Sequence, residues 1–459
     1  MLTQLLKPEI KSLIQEKQFA VLKEVIQEWP PADVAELIVE LDESERVLIF
    51  RLLNRELAAD VFEYLDVDTQ LELIKSMGKE ETAAILNEMD PDDRTALFEE
   101  IPAQALQQLL ALLTSEEKKI AITLLGYPEN SIGRLMTPDY LAIKADWTVQ
   151  EVLNYIRQVG KSKETLNVIF VIDEKGKLLG QIDIRDILLS PPEQKISELY
   201  DENITPLNVF DDQEKAVSVL QKYDAVALPV VDNNGVLLGI VTVDDIMDVA
   251  QEETTEDIQK QAAVQVLEVP YSEVSIFNMI KKRAGWLSLL FIGEMFTASA
   301  MAIFEEEIAR AVVLALFVPL IISSGGNSGS QASTLIVRAM ALGEITLKDW
   351  FKVMRRELLT GLSLGIILGL IGFVRIVLWQ EATHLYGEHW LSVAITVFFS
   401  LIGVVMWGTL IGSMLPFILR RLGFDPATSS APFVATLVDV TGLLIYFSIA
   451  IEILKGKLL

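Results

Sequence analysis

Five apolar stretches after Arg283 constrain the fold more than any other feature of this sequence. Each is close to the roughly 20 residues that an α-helix needs to cross the hydrocarbon core of a bilayer. A backbone in lipid has to satisfy its own hydrogen bonds, so each stretch is predicted to form one transmembrane helix. The five predicted helices span residues 285–304, 310–338, 358–379, 390–419 and 431–454.

The net charge lies almost entirely in the other part of the chain. The 459 residues carry 65 Asp and Glu against 38 Lys and Arg, and residues after Arg283 hold only 12 of these acids and 11 of these bases. The first part is therefore predicted to lie in water. Its acids either keep the surface soluble or form a store of cation-binding carboxylates. This balance argues against nucleic acid as a partner, because phosphate binding needs a basic surface.

Cysteine and histidine are too scarce for several classes of protein. The chain has no cysteine and two histidines. Their scarcity excludes a disulfide framework, a thiolate nucleophile and a Cys- or His-rich metal site. Because many enzymes use cysteine or histidine in catalysis, this scarcity also argues against most enzyme classes, and we expect a protein that is not an enzyme.

Basic residues mark alternate connections between the predicted spans. They lie in residues 281–283, 338–356 and 420–421, whereas residues 305–307 and 380–389 contain no Lys or Arg. The positive-inside rule then places the acidic part in the cytoplasm and the spans in the cell (inner) membrane. Because the number of spans is odd, the C-terminus is predicted to lie outside.

A repeat with a period of 24 residues organises residues 35–125. Each unit ends in Asp or Thr before an acidic turn, at positions 42, 66, 90 and 114. Such residues start helices as N-caps, and Pro91 suits a first helical turn. The repeat predicts short antiparallel helices stacked as an α-solenoid.

Asp90, Asp92 and Asp93 stand at one of these helix starts. Helix capping and compensation of the helix dipole are the ordinary roles for such residues. Three carboxylates within four residues of an acidic domain are also candidate metal ligands.

A second duplication follows, with an offset of 59 residues. The sequence Val-Ile-Asp-Glu-Lys-Gly-Lys-Leu-Leu-Gly at 171–180 recurs as Val-Val-Asp-Asn-Asn-Gly-Val-Leu-Leu-Gly at 230–239. Each copy predicts a strand, a hairpin, a strand and a helix, with an amphipathic helix upstream near 147–158 or 213–222. The pattern resembles a tandem pair of cystathionine-β-synthase (CBS) domains, which commonly act as regulatory sensors.

A polar segment joins these modules to the first span. Its start is dense in carboxylates, and Pro270 is predicted to break it. We interpret the chain as a multidomain membrane protein with an α-solenoid N domain, tandem CBS (α/β) domains, a connecting (plug) helix and a five-helix α transmembrane domain. The predicted boundaries are 1–132, 133–250, 251–283 and 284–459.

Two carboxylates inside the predicted spans are candidates for function. A charge at bilayer depth costs several kcal/mol on insertion scales, so such residues are rarely incidental. Asp439 in the fifth span is the stronger candidate, and Glu294 in the first span is the second. A protonated or hydrogen-bonded structural role is the alternative for each.

The second span contains a run of small and hydroxyl residues after Pro319. Proline and paired glycines are expected to interrupt the helix and free backbone carbonyls, which is tolerated only beside a cavity or within packed protein. Tight helix packing is the other role open to the glycines. The candidates for lining a cation path are Gly325, Gly326, Asn327, Gln331 and Glu294.

Ligands that are all oxygen favour a hard cation such as Mg²⁺ or Ca²⁺ over Cu⁺ or Zn²⁺. Mg²⁺ sheds water reluctantly and is usually held by one or two carboxylates through retained waters. If two chains met at a twofold axis, their Asp439 side chains would form a pair around one hydrated ion.

Three segments resemble the MgtE family of magnesium channels, namely residues 325–331, 425–427 and 436–442. The likeness covers essentially the whole chain, in the family's domain order. It implies a homodimeric, Mg²⁺-selective channel lined by the second and fifth helices. It also implies that Asp439 recognises hydrated Mg²⁺ and that the carbonyl of Ala435 assists.

The resemblance further implies that the cytoplasmic part senses intracellular Mg²⁺. Carboxylates repel one another at low Mg²⁺, and bound Mg²⁺ bridges them and favours a closed pore. Some members have Asn before the proline that opens the fifth span, where this chain has Ala431. The positions that carry over are Asp212, Glu214, Asp224, Asp245 and Asp248 in the CBS region, Glu253, Glu256 and Asp257 in the connecting helix, and Asp425 at the inner mouth.

Alternatives stay open at this point. One is a broader divalent channel that admits Co²⁺, Ni²⁺, Mn²⁺ or Ca²⁺, and another is a CBS-bearing membrane sensor without transport. An anion channel would need basic or helix N-terminal sites at mid-membrane, and none is convincing. CBS domains bind adenine nucleotides in some proteins, so ATP is a further ligand to consider. The glycine-rich run lacks the Lys of a phosphate-binding loop.

Overall fold

The computed structural model describes residues 2–267, 271, 274–384, 386–456 and 458. Pro270, where a break was expected, lies outside these residues. The chain divides into two compact units, Met1–Ala250 and Gln251–Leu459. Each unit has hydrophobic cores of its own.

Short helices fill the described residues up to 125 of the first unit. They are α1 (Leu2–Gln15), α2 (Phe19–Ile26), α3 (Pro31–Val39), α4 (Glu43–Leu52), α5 (Arg55–Glu63), α6 (Val67–Ser76), α7 (Lys79–Leu86), α8 (Pro91–Glu99), α9 (Ala103–Leu110) and α10 (Ser115–Leu125).

The 24-residue repeat is confirmed, and each period holds two helices. The residues at positions 42, 66, 90 and 114 directly precede α4, α6, α8 and α10. Buried apolar residues recur with the same period, as Ile38, Phe62 and Leu86 show. Because these residues belong to one continuous core, neighbouring units stabilise each other as in other solenoids.

The helix starts do not all use the same cap. The Asp66 carboxylate accepts a hydrogen bond from the Thr69 N–H at 2.8 Å, and the Thr114 hydroxyl accepts one from the Glu117 N–H at 3.2 Å. Asp90 makes no such bond, so the capping role expected of its side chain is wrong. Its carboxylate is therefore available for other contacts.

The duplicated modules follow α11 (Ile132–Leu135) and are confirmed as two β-α-β-β-α units. The first contains β1 (Ala142–Lys144), α12 (Val149–Val159), β2 (Val168–Ile172), β3 (Leu178–Asp183) and α13 (Ile184–Leu189). The second contains β4 (Leu207–Asn208), α14 (Glu214–Tyr223), β5 (Ala227–Val231), β6 (Leu237–Thr242) and α15 (Val243–Gln261).

Both modules have the same sheet topology. The strand orders are β1-β2-β3 and β4-β5-β6, with the first pair of strands parallel and the second antiparallel. The register pairs Val171 with Gly180 in one sheet and Val230 with Gly239 in the other. The two pairs are related by the 59-residue offset read from the sequence, so the duplication extends to the backbone hydrogen bonds.

Helix α15 continues past the second module as far as Gln261. The next helix begins at Ile276, and the described residues between them form no helix. The segment expected to be a connecting helix thus starts as an extension of the last CBS helix.

The second unit contains apolar helices long enough to cross a membrane. They are α16 (Ile276–Ile303), α18 (Val318–Ala341), α19 (Trp350–Thr383), α20 (Trp390–Arg421) and α21 (Ala431–Leu454), with a short α17 (Glu305–Arg310) after the first. Five candidate spans occur in the described residues, as predicted. The helices are long and apolar enough for a multi-pass membrane domain.

The glycine-rich run lies within continuous helix α18, so the interruption expected at the paired glycines is wrong, whereas a 3₁₀ turn at Val312–Phe317 does precede Pro319. Its glycines instead allow α18 and α20 to approach closely. A Cβ built at Gly325 would lie 2.6 Å from Val404 Cγ1, and one at Gly329 would lie 2.8 Å from the Gly408 carbonyl oxygen. A Cβ at Gly412 would overlap the Gly329 carbonyl. These small residues four apart on both helices are typical of close helix packing in membranes.

Replacing Gly412 by Ala should destabilise the second unit. The added methyl group meets backbone, which cannot rotate away, so we expect a cost of about 1–3 kcal/mol. The measurement is the thermal unfolding midpoint of the purified protein in detergent. Gly285→Ala in α16 is the matched control, because nothing lies within 4 Å of a Cβ built there. Equal midpoints for the two variants would contradict the packing role.

Candidate cation sites

Asp439 lies on α21, one helical turn after Ala435, on a face that approaches α18. A Cβ built at Gly326 would lie 3.4 Å from Ala435 Cβ and 3.8 Å from Asp439 Oδ1. The Glu294 side chain on α16 is within hydrogen-bond reach of the Asp439 carboxyl group. The structure thus brings together four of the residues expected to form an ion path.

No cation of the chain is paired with this carboxylate among the described ion pairs. Those of the second unit involve Lys260 and Arg310. Asp439 is half-buried and Glu294 is exposed in the single chain. Two neighbouring carboxyl groups without a positive partner are an arrangement that a divalent cation stabilises.

The polar face of α18 continues this surface. Asn327 and Gln331 are exposed and lie four residues apart, on the same side of the helix as Ser323. Gly325 is buried against Val404 and Val438, and its place on the lining of a path stays a prediction. Its role in the described chain is to bring α18 close to α20.

Asp425 follows α20 and starts the 3₁₀ turn Pro426–Thr428. Its Oδ1 accepts a hydrogen bond from the Ala427 N–H at 2.8 Å, and its Oδ2 lies 2.6 Å from Lys260 Nζ. Lys260 also forms an ion pair with Glu256 on α15. Burial and the charge of Asp425 raise the pKa of Asp257 to about 6. Three predicted ligands, Glu256, Asp257 and Asp425, therefore lie around one lysine.

A second group of carboxylates lies in the first unit. Single carboxylate oxygens of Glu63, Asp90 and Asp93 all lie within 4.8 Å of one another. Glu63 Oε1 also accepts a hydrogen bond from the Asp90 N–H at 2.8 Å. Burial raises the pKa of Glu63 to about 8 and that of Asp93 to about 7. Part of the shift at Asp93 comes from the charge of Asp245 on α15.

Other acids extend this group. Asp92 is only 8% exposed, its Oδ1 has no hydrogen-bond partner, and burial together with Asp245 holds its pKa well above the ordinary value. Burial and Asp90 raise the pKa of Glu164 to about 7. Burial also raises the pKa of Asp245 to about 6, although Thr242 donates a hydrogen bond to it at 2.6 Å.

This arrangement fits a hard divalent cation. The donors are carboxylate oxygens, which Mg²⁺ and Ca²⁺ prefer, and the buried Asp92 oxygen lacks a partner that a cation or its water would supply. Asp248 is near enough to raise the pKa of Asp93, so the predicted residues of α8 and α15 belong to one acidic group.

Asp212 and Asp224 have local roles at the two ends of α14 in the described chain. Asp212 accepts a hydrogen bond from the Glu214 N–H at 3.0 Å, at the start of α14. Asp224 ends α14 in the left-handed conformation, with φ of 49°. The group formed by Glu63, Asp90 and Asp93 includes none of these three residues.

Sequence reasoning missed Glu63, Glu164 and Lys260. Glu63 occupies a repeat position where the equivalent residues are Val39 and Asn87. A charged residue at a position that is uncharged in the neighbouring repeats could have marked it as a candidate ligand. Lys260 is the only basic residue in α15, and its isolation among acids could also have been noticed in the sequence. Nothing local in the sequence marks Glu164, because its partners lie in distant segments.

Consecutive parts of the chain match known families. Residues 29–130 match the MgtE intracellular N domain, residues 132–192 and 196–252 match the CBS domain, and residues 318–449 match the family MgtE, described as divalent cation transporter. With five apolar helices, the class is that of multi-pass membrane proteins of the divalent cation transporter type.

Two curated relatives extend over nearly the full length. The magnesium transporter MgtE of Thermus thermophilus is 38% identical, over 97% of this chain and 98% of the relative. That of Bacillus subtilis is 32% identical, over 95% of each. The chain belongs to the MgtE family of magnesium transporters, as the three motifs implied.

A solved structure supports the fold of the first unit. The crystal structure of the cytosolic domain of the Mg²⁺ channel MgtE in complex with ATP is 34% identical, with a TM-score of 0.51. The match covers 53% of this chain and 99% of the other. The predicted helical domain and tandem CBS domains are confirmed.

The raised pKa values predict that pH affects stability when no divalent ion is present. Between about pH 4 and pH 8 the folded chain keeps protons on Glu63, Asp93 and Glu164 that the unfolded chain has released. Because the folded state binds more protons in that window, its stability falls as the pH rises.

Thermal unfolding followed by circular dichroism in a chelator should therefore show a lower midpoint at pH 8 than at pH 5.5. Mg²⁺ at pH 8 should recover the loss, since the ion replaces the protons. The variant Glu63→Gln/Asp93→Asn should show a smaller pH effect. A midpoint in chelator that is equal or higher at pH 8 would contradict the electrostatic account.

Proposed function

We propose that this chain forms a homodimeric, Mg²⁺-selective channel that passes hydrated Mg²⁺ down its gradient across the cytoplasmic membrane. The observation that carries the proposal is the carboxyl group of Asp439, which lies in an apolar helix without a positive partner among the described ion pairs. Ala435, Gly326 and Glu294 adjoin it. A proton or a mobile cation can offset the charge at such a site, and we propose that a mobile cation does so during transport.

The homodimer is proposed because a second chain would bring a second Asp439 carboxylate to the same ion. Mg²⁺ is usually held by one or two carboxylates through its own waters. Two Asp439 side chains at a twofold axis would provide them, and each negative charge would be offset by the same ion. The exposed polar face of α18, with Asn327 and Gln331, would supply further hydrogen bonds to the hydrated ion.

The gate is proposed to lie in the cytoplasmic part, with the N-terminus inside and the C-terminus outside. The acidic group around Asp92 contains few positive partners, so its compact arrangement needs protons or divalent ions. Intracellular Mg²⁺ would favour the compact form and close the pore. A shift from mostly open to mostly closed needs about 5.5 kcal/mol of differential binding, which several cooperating sites can supply.

A broader divalent channel is the second candidate, because the matched family is described only as a divalent cation transporter. Carboxylate and amide oxygens bind several hard ions, so selectivity would depend on the size of the hydrated ion. Initial flux measured with Ca²⁺ and with Mg²⁺ distinguishes the two, and equal flux would reject Mg²⁺ selectivity.

ATP is proposed as a ligand of the tandem CBS domains. The support is the ATP complex of the related cytosolic domain, which matches over 99% of that chain. Radiolabelled ATP should bind saturably to the purified protein, and an absence of saturable binding would refute this proposal.

Asp439→Asn should abolish most of the transport. The substitution keeps the size of the side chain and removes its charge, so we expect Mg²⁺ flux to fall roughly tenfold or more, which corresponds to at least about 1.4 kcal/mol of lost stabilisation. Flux is read with a Mg²⁺-sensitive dye inside proteoliposomes.

Glu452→Gln on the same helix is the matched control, since that exposed side chain lies near the end of α21. It should leave flux unchanged. Wild-type flux in a folded Asp439→Asn variant would make the carboxylate structural and favour a sensor without transport.

A further inference from the structure

Lys260 occupies an unusual place in an acidic helix. Helix α15 contains seven acids and this one base, which lies in its last turn. The ammonium group reaches Asp425, 165 residues away in the chain, with Nζ 2.6 Å from Oδ2. It also contacts Glu256, one turn earlier on its own helix. We call the three side chains the Lys260 bridge.

The bridge joins two elements that no other described ion pair connects. On one side is the end of α15, and on the other is the turn between the fourth and fifth apolar helices. Asp425 is held in place there, because its Oδ1 accepts the Ala427 N–H and its carbonyl accepts the Thr428 hydroxyl at 2.6 Å. The lysine therefore contacts a fixed carboxylate.

Negative charge dominates around the bridge. Asp257 is close enough to Asp425 for that charge to raise its pKa, and Lys260 acts in the opposite direction. Burial lowers the pKa of Lys260, but its hydrogen bonds to Asp425 and Glu256 raise the pKa by more. The net pKa lies above the ordinary value, so the ammonium group stays charged. One positive charge thus offsets part of the repulsion among three carboxylates.

An ammonium group between two carboxylates takes the position that a divalent cation would occupy. It is a compact charge with several donors, on a flexible stem. Unlike a free ion, it is present at every Mg²⁺ concentration. The bridge is about one-third exposed, at 28% for Lys260 and 38% for Asp425. An ion pair of this exposure is weak, so the bridge favours contact between α15 and the turn but does not make it permanent.

We propose that Lys260 is a built-in counterion that holds the connecting helix to the turn before the fifth span when no divalent ion is bound, and that Mg²⁺ competes with it for Asp425. Lys260 is a positioning residue in this account. The contact itself does not depend on transport, whereas its effect on gating rests on the proposed function.

Zero-length cross-linking tests the contact. A water-soluble carbodiimide joins an amine to a carboxylate that touches it, and mass spectrometry then identifies the amide. In the full-length protein in buffer stripped of divalent ions, we expect amides from Lys260 to both Asp425 and Glu256. The Glu256 amide is the internal control, because its two residues share one helix. An amide to Glu256 without one to Asp425 would overturn the proposal.

The same experiment tests the competition. Saturating Mg²⁺ should lower the yield of the Asp425 amide about two- to fivefold relative to the same protein without divalent ions, the range of a part-exposed ion pair. An unchanged yield of the Asp425 amide would show that Mg²⁺ does not displace the lysine from Asp425, and the competition would be refuted.

Two variants separate the charge of Lys260 from its packing. Lys260→Met keeps the apolar stem and removes the charge, whereas Lys260→Arg keeps the charge. Without divalent ions, amide hydrogen exchange in residues 255–262 should be about two- to fivefold faster in the Met variant than in the Arg variant, and Mg²⁺ should remove the difference. Equal exchange without divalent ions would make the residue merely structural.

Flux extends the test to gating. With no Mg²⁺ on the cytoplasmic face, the Met variant should conduct about two- to fivefold more than the Arg variant. Equal flux in conducting variants would refute the effect of the bridge on the gate. If no variant conducts but the cross-link and the exchange difference are found, the bridge is supported and the proposed channel function fails.

Discussion

The cost of a carboxylate inside an apolar helix is the constraint on which the rest of the structure depends. Asp439 lies in an apolar span, and the described ion pairs offer it no lysine or arginine. A soluble protein would neutralise such a group with a fixed cation. Here the neighbouring groups are Glu294 and small residues, so the charge of Asp439 is offset either by a proton or by a cation from outside the chain.

The packing of the other helices serves this site. Glycines four residues apart on α18 and α20 bring the two helices into backbone contact. Gly326, which follows Gly325 on α18, then lies against α21 beside Asp439. Repulsion between carboxylates also matters in the first unit. Its buried carboxyl groups have raised pKa values, so protons or divalent ions stabilise its compact form.

Local patterns made much of this architecture predictable. Helix starts recur every 24 residues because each solenoid unit repeats its own cap and core, and the apolar spans follow from length and composition. Contacts between distant segments were not predictable in the same way. Lys260 contacts Asp425 across 165 residues, and the charge of Asp90 acts on Glu164, which belongs to another domain.

The error over the second span has a physical cause. Paired glycines break helices in water, but in α18 they are held by a partner helix whose own glycines face them, so the backbone stays helical. Gly325 and Gly326 are adjacent, but Gly325 lies against Val404 of α20 and Val438 of α21, whereas Gly326 lies against Ala435 and Asp439 of α21. That distinction requires the positions of the neighbouring helices.

The most direct test of the central claim is Mg²⁺ entry into proteoliposomes that contain the purified protein and a Mg²⁺-sensitive dye. The account predicts rapid entry when the cytoplasmic face is free of Mg²⁺, and slow entry when that face is saturated. Entry no faster than into protein-free liposomes under both conditions would contradict it.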